Sequence, residues 1–194
     1  MVKRPETWMR ISSKEIADYR VFRVREDLCR GDDDGREGTF FVIESPDWVN
    51  IIALTPQNEV VAIEQYRHGI ENTILEIPGG MIDANETPEK AARRELSEET
   101  GFSASEFVLL GQSNPNPAIQ NNRIFHFLAK NCVRTHDVNF DEHESIETKL
   151  IPLSKVEELI RKGDISHSLV IAAFYYLNKH HEDFTVEARA RSLG

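Results

Sequence analysis

Three glutamates carry the strongest chemical signal in the sequence. Glu95 and Glu99 are four residues apart and Glu98 is three from Glu95, so on a helix of 3.6 residues per turn their carboxylates share one arc of about 100°. Like charges at that spacing repel, and these lean toward the negative end of the helix dipole. Pairing of Arg94 with Glu98 at i, i+4 offsets only about 0.2 to 0.5 kcal/mol of that cost. A hard divalent cation satisfies the cluster better. Mg²⁺ takes oxygen ligands and keeps some water, which suits a few helix carboxylates together with substrate phosphate oxygens. Just upstream, Gly79 and Gly80 let the backbone come close to the helix, where a loop carbonyl is one more oxygen ligand.

The elements that must hold these groups are legible in outline. Thr87 suits an N-cap, Pro88 the first helical position, Glu89 the positive end of the dipole and Gly101 a left-handed C-terminus, so the spacing predicts a helix over Pro88–Thr100. Ahead of it, the apolar runs 48–54 and 59–67 flank Thr55-Pro56-Gln57-Asn58 and read as a pair of buried strands joined by a short turn. The stretch Leu75-Glu76-Ile77-Pro78-Gly79-Gly80 stops that pattern. Residues 18–30 and 39–45, around the turn-rich 31–38, read as one long hairpin. Later strands are expected at 123–129 and 147–153. Ser154 with Glu157 predicts a capping box for a helix over 154–163, and Ser166 a cap for a last helix through 169–177. Strands interleaved with a few helices, without regular alternation, predict an α/β fold of the α+β kind, a mixed sheet covered by helices on its faces.

At this point the spacing resembles a known family. Gly80, Glu86 and then Arg94-Glu95-Leu96-Ser97-Glu98-Glu99-Thr100-Gly101-Phe102 are similar to the Nudix hydrolase signature at every defined position. The resemblance implies an α/β/α sandwich whose strand-loop-helix unit binds Mg²⁺ or Mn²⁺, more than one ion per site, and hydrolyses a nucleoside diphosphate linked to another group. It makes Glu95, Glu98 and Glu99 the metal carboxylates, lets Gly79 offer its carbonyl, and gives Glu86 and Arg94 the task of orienting loop and helix. The flanks Glu64-Gln65-Tyr66-Arg67 and Leu75–Gly80, with Pro117 beyond the signature, resemble the ADP-ribose pyrophosphatase and nucleotide-sugar hydrolase branch from about Tyr19 to Leu177. That branch implies contact of Arg67 with the diphosphate, a role that suits a fixed fork of donors. Glu76 is either a further carboxylate on the metal or substrate side or a structural partner for an arginine.

A second acidic run, Asp141-Glu142-His143-Glu144 with Glu147, is by itself a solvated charge run. Within the branch resemblance, Glu142 and Glu144 match a Glu-x-Glu loop over the metals, with Glu142 as general base and Glu144 as ligand. Trp8, Phe22, Trp48 and Tyr66 are aromatics able to stack on a base, and strand packing needs the same residues. The expected reaction is attack of water on one phosphorus, yielding AMP and ribose 5-phosphate when the substrate is ADP-ribose. Asn116-Pro117-Ala118 and Asn122-Arg123 depart from the branch's usual Ser-Pro-Gly and acidic pattern, which leaves GDP-mannose and UDP-glucose open as substrates.

Composition excludes several other classes. The 194 residues are 40% hydrophobic and 29% charged, the balance of a globular chain, with a net charge of −10. A phosphate-repelling surface without Lys/Arg clusters is a poor binder of nucleic acid or anionic lipid. Gly80–Phe102 holds six acidic residues against three basic, and Asp137–Glu147 five acidic and none basic, so the acidity concentrates in the two segments expected at the metals. The start lacks an apolar run and 169–177 is too short to span a bilayer, while Cys29 and Cys132 form no disulfide framework, so a soluble cytoplasmic protein is expected. The expected organisation is residues 1–45 as N-terminal strands and 46–194 as the catalytic domain, with a homodimer through those strands by resemblance. Two other readings are a non-catalytic nucleotide-sugar sensor, disfavoured by the complete set of glutamates, and a hydrolase of modified nucleoside triphosphates.

Overall fold

Cross-strand pairing near the N-terminus builds a three-stranded antiparallel sheet from β1 (Trp8–Tyr19), β2 (Phe22–Gly31) and β3 (Glu37–Glu44), in that order. The structure is a computed structural model that describes residues 4–138 and 145–192, with side chains as far as His180. The long hairpin expected here is instead a three-stranded meander. Tyr19 pairs with Phe22, so the chain reverses at Arg20-Val21 inside what reads as one extended segment, and no Gly, Asn or Pro marks that turn. Residues 114–123 belong to the same unit as residues 1–46. They join through Ile43, whose N–H donates to Ile119 O at 2.7 Å.

The other unit comprises residues 47–113 and 124–194. Its strands are β4 (Trp48–Ala53), β5 (Glu59–Arg67), β6 (Asn72–Glu76), β7 (Gly79–Met81), β8 (Phe102–Ser103), β9 (Glu106–Ser113), β10 (Ile124–Lys130), β11 (Val133–Arg134) and β12 (Ile146–Pro152). The helices are α1 (Pro88–Thr100), α2 (Val156–Lys162) and α3 (Ser168–Ser192). One sheet runs β7-β4-β10-β9 and a second β12-β5-β6, with a short β11-β8 pair beside them. The β4–β10 ladder is parallel and the others antiparallel, a mixed arrangement.

Alternation explains how one strand can be apolar at nearly every position. In β4, Val49, Ile51 and Ala53 join Ala91, Ala92 and Leu96 of α1, while Ile52 packs with Val156 of α2 and Val170, Ala173, Phe174 and Leu177 of α3. The central strands are therefore covered on both faces, a helix–sheet–helix sandwich. No helix among the described residues is long and apolar enough to cross a membrane.

Local expectations differ from the structure in several places. The runs 48–54 and 59–67 share a single ladder bridge, Leu54–Val60, and enter different sheets, because β4 pairs with β7 and β10 while β5 pairs with β6 and β12. Strand structure continues through β6 and β7, on either side of Ile77-Pro78. Ser154 makes no capping box. Leu153–Lys155 is a 3₁₀ turn, Lys155 already has helical backbone angles, and α2 starts without a side-chain cap. α3 starts at Ser168, directly after His167, so Ser166 lies one residue too early to cap it. β9, unmarked in the sequence reading, takes its place from pairing with β10.

Candidate active site

Helix α1 starts and stops where its local chemistry dictates. Thr87 Oγ1 accepts from Lys90 N at 3.3 Å, Pro88 lies in the first turn, and Gly101 at φ 72° sets its N–H on Ser97 O. Burial of Ala92 and Leu96 against the sheet fixes the helix's rotation, and rotation places the carboxylates. Glu99 is buried, Glu95 nearly so, and Glu98 half exposed.

Arg94 gathers the acids of loop and helix. Its Nη1 donates to Glu95 Oε1 at 2.7 Å and Glu98 Oε2 at 3.1 Å. Its Nε and Nη2 grip the two oxygens of Glu86 at 3.1 and 3.0 Å, and Nη2 also reaches Met81 O at 2.9 Å. These bonds from Arg94 outweigh burial and hold the Glu86 carboxyl below its ordinary pKa, and Glu86 in turn leads the acids that raise the pKa of Arg94.

The two glycines of β7 are needed for close approach. Gly79 N donates to Glu99 Oε2 at 2.9 Å. A Cβ on Gly79 would overlap the Val49 carbonyl, and one on Gly80 would overlap the Glu95 carboxylate. Among the described residues no three Asp, Glu, His or Cys side chains converge tightly enough to hold a metal ion. Arg94 occupies Glu95 and Glu98, and Gly79 one oxygen of Glu99. As a donor set, three carboxylates on one helix face supply the hard oxygen ligands that a divalent cation takes.

A cleft of about 590 Å³ adjoins this helix through Gly79 and Gly80, which line it. Trp48, Arg67 and Glu76, singled out from sequence, line the same cleft. Glu76 has the arginine partner that was one of its two expected roles: its carboxylate, 1% exposed, accepts from Arg67 Nε at 2.9 Å. Its other oxygen lies 2.9 Å from His167 Nδ1, a close contact but a bent one, so that oxygen lacks a well-directed hydrogen bond. Burial pushes the Glu76 carboxyl up, and His167 and Arg67 together pull it below its ordinary value.

The remaining candidates are distributed elsewhere. Pro117 lies in the unit built on β1–β3. Trp8 packs edge-on against Phe40 and Phe22 beside Tyr19 in that unit, and Tyr66 contacts His68. Glu142 and Glu144 lie outside the described residues.

Sequence reasoning missed a buried polar chain behind the cleft. His126, fully buried, lies 2.8 Å by Nδ1 from Asn50 Oδ1 and 2.9 Å by Nε2 from Ser113 Oγ. Asn50 Nδ2 donates to Leu169 O in the first turn of α3 at 3.0 Å, so Asn50 Oδ1 is the acceptor and His126 Nδ1 carries the proton. Burial lowers the His126 pKa to about 4, so the ring is neutral at pH 7. The available signal was an Asn and a His inside otherwise apolar strands, since buried polar groups need partners. His167 carried no such signal.

The NUDIX domain profile matches residues 45–174. A methanol dehydrogenase activator of Bacillus methanolicus is 30% identical over 86% of this chain and 90% of its own. An ADP-ribose pyrophosphatase of Bacillus subtilis is 28% identical over 86% and 93%. A solved structure described as an ADP compounds hydrolase superposes with a TM-score of 0.82 at 21% identity, over 93% of this chain and 97% of that one, a likeness of fold.

Proposed function

The chain belongs to the Nudix family, and on that premise we propose that it hydrolyses the diphosphate bond of ADP-ribose or a related nucleoside diphosphate sugar in the cytoplasm, releasing a nucleoside monophosphate and a sugar phosphate. The observation that carries the reading is the shared wall: Gly79 and Gly80 separate the carboxylates of α1 from a cleft into which Arg67 opens. A long relative named for ADP-ribose hydrolysis supports the choice of substrate class.

Glu95, Glu98 and Glu99, with the Gly79 carbonyl and Glu144, would hold Mg²⁺ or Mn²⁺, in more than one ion. Bound there, the cation would neutralise charge on the diphosphate and acidify water. The chain's own residues do the rest. Arg67 binds phosphate oxygens, Trp48 offers an aromatic face to the substrate, and Glu142 takes the proton of the attacking water. Glu86 and Arg94 keep Glu95 and Glu98 close to the β7 loop. A homodimer through the first unit is supported by β1, a long exposed edge strand with Met9, Ile11 and Ile16 open to solvent.

The test is phosphate release after coupling to a phosphatase, from ADP-ribose, GDP-mannose, UDP-glucose and nucleoside triphosphates, with Mg²⁺, Mn²⁺ or chelator. Turnover of a diphosphate sugar should vanish with chelator and fall on the order of 100-fold or more in Glu99→Gln. Activity that survives both refutes the metal mechanism, and turnover of triphosphates alone refutes the substrate class.

A further inference from the structure

One buried carboxylate holds two groups at the wall of the cleft. Glu76 Oε2 takes both Nε and Nη2 of Arg67, at 2.9 and 2.5 Å, and Oε1 lies 2.9 Å from His167 Nδ1. Arg67 ends β5 and His167 immediately precedes α3, so strand and helix are brought together by a side chain that is itself 1% exposed. Both side chains line the cleft, 42% and 39% exposed. The contacts with Glu76 leave Nη1 of Arg67 and Nε2 of His167 for a ligand.

The character of Nε2 follows from its ring partner. A lone pair on Nδ1 would be repelled by a carboxylate oxygen 2.9 Å away, so Nδ1 carries a proton toward Glu76 and Nε2 is the ring nitrogen left for a ligand. A donor that seeks an anion thus stands beside a ring nitrogen that can hydrogen-bond a hydroxyl, which both donates and accepts. Their shared environment is also braced from behind. Val170 N and Ile171 N donate to His167 O at 3.1 Å, and Asn50 ties Leu169 O to β4.

We propose that Arg67 and His167 form a two-point reader for a phosphate that bears a hydroxylated group, Arg67 Nη1 on a phosphate oxygen and His167 Nε2 on a sugar hydroxyl, with Glu76 as the positioning residue for both. This rests on the diphosphate-sugar reading above and deepens it. The reader favours substrates whose distal phosphate is esterified to a sugar.

The test compares ADP-ribose with the methyl ester of ADP, which keeps the diphosphate diester and lacks a distal hydroxyl. In wild-type protein the methyl ester should show a KM about tenfold higher, the scale of one lost hydrogen bond. His167→Phe should raise the KM for ADP-ribose by about the same factor with kcat within twofold, and leave the methyl ester unaffected. His167→Gln, which restores a hydrogen-bonding side chain, should recover most of the loss. Equal KM values for the two substrates in wild type overturn the proposal without any variant, as does an equal loss on both substrates in His167→Phe. Wild-type protein that cleaves neither diphosphate diester overturns the functional reading and this proposal together. ADP-ribose turnover indifferent to His167→Phe overturns this proposal alone.

Discussion

Acidifying this protein from pH 6.5 toward 4 should weaken its fold by about 3 kcal/mol through one ring, that of His126. The ring is fully buried between Asn50 and Ser113 and stacks on Tyr176 with centroids 5.2 Å apart. Burial lowers its pKa from 6.5 to about 4, a gap that converts at roughly 1.4 kcal/mol per unit to about 3 kcal/mol. The sign follows from proton counts. Between the two values the unfolded chain holds a proton on this ring that the folded chain does not, so stability falls as pH falls and levels off below about 4. The structure says why protonation is resisted: the ring is fully buried, and its two partners, Asn50 and Ser113, are neutral groups that carry no charge to offset its own. Carboxylates held low in the fold, Glu76, Glu86 and Asp27, add acid sensitivity as pH falls toward and below their ordinary values of 3.8 to 4.5, so the upper part of the range belongs to His126 and the variant comparison isolates its share below. Urea unfolding at pH 7.5, 6.0, 5.0 and 4.5 would measure the slope in wild type and in His126→Gln. The variant should be less stable at pH 7.5 and lose most of the slope between pH 6.5 and 4.5. Parallel slopes would mean that the ring takes its proton in the folded protein and would refute the reasoning.

Other consequences can be checked separately. Arg94→Gln removes the cation shared by Glu86, Glu95 and Glu98 and should cost about 2 to 3 kcal/mol in chemical denaturation, since charge-assisted bonds to partly buried acids are lost. Gly80→Ala sets a methyl group against the Glu95 carboxylate, which can swing away, so turnover should fall on the order of 100-fold while the melting temperature changes little. Cys132 is buried, its thiol pKa raised by burial to about 12, so alkylation of the native protein followed by mass spectrometry should modify Cys29 and spare Cys132 until denaturant is added.

Local chemistry made helix α1 legible to the residue. A cap at Thr87, a proline at Pro88 and a left-handed glycine at Gly101 act within a few residues of the ends they define, and no distant partner is needed. The same holds for the common arc of Glu95, Glu98 and Glu99, which is a property of helical spacing. Where a local signal competes with the tertiary ladder, the ladder decides. Ser154 and Glu157 have the right spacing for a capping box, yet the chain reaches Lys155 already in helical angles because Leu153 N is held by Asn58 O. Strand order is decided the same way, since β4 and β5 are neighbours in sequence and lie in different sheets.

The sequence by itself determined the acidic helix, the glycines that approach it and the family to which these belong, because each depends on residue type and short spacing. The partners of Glu76 were not legible there, because they come from the end of β5 and from His167 just before α3, nearly a hundred residues further along the chain. Only the tertiary structure decided that pairing, and it likewise brought His126 of β10 to Asn50 of β4 and closed their chain on α3. A buried polar side chain in a strand announces that it needs a partner; which partner it finds depends on strand order and helix placement, and those are set by burial of apolar faces across the whole unit.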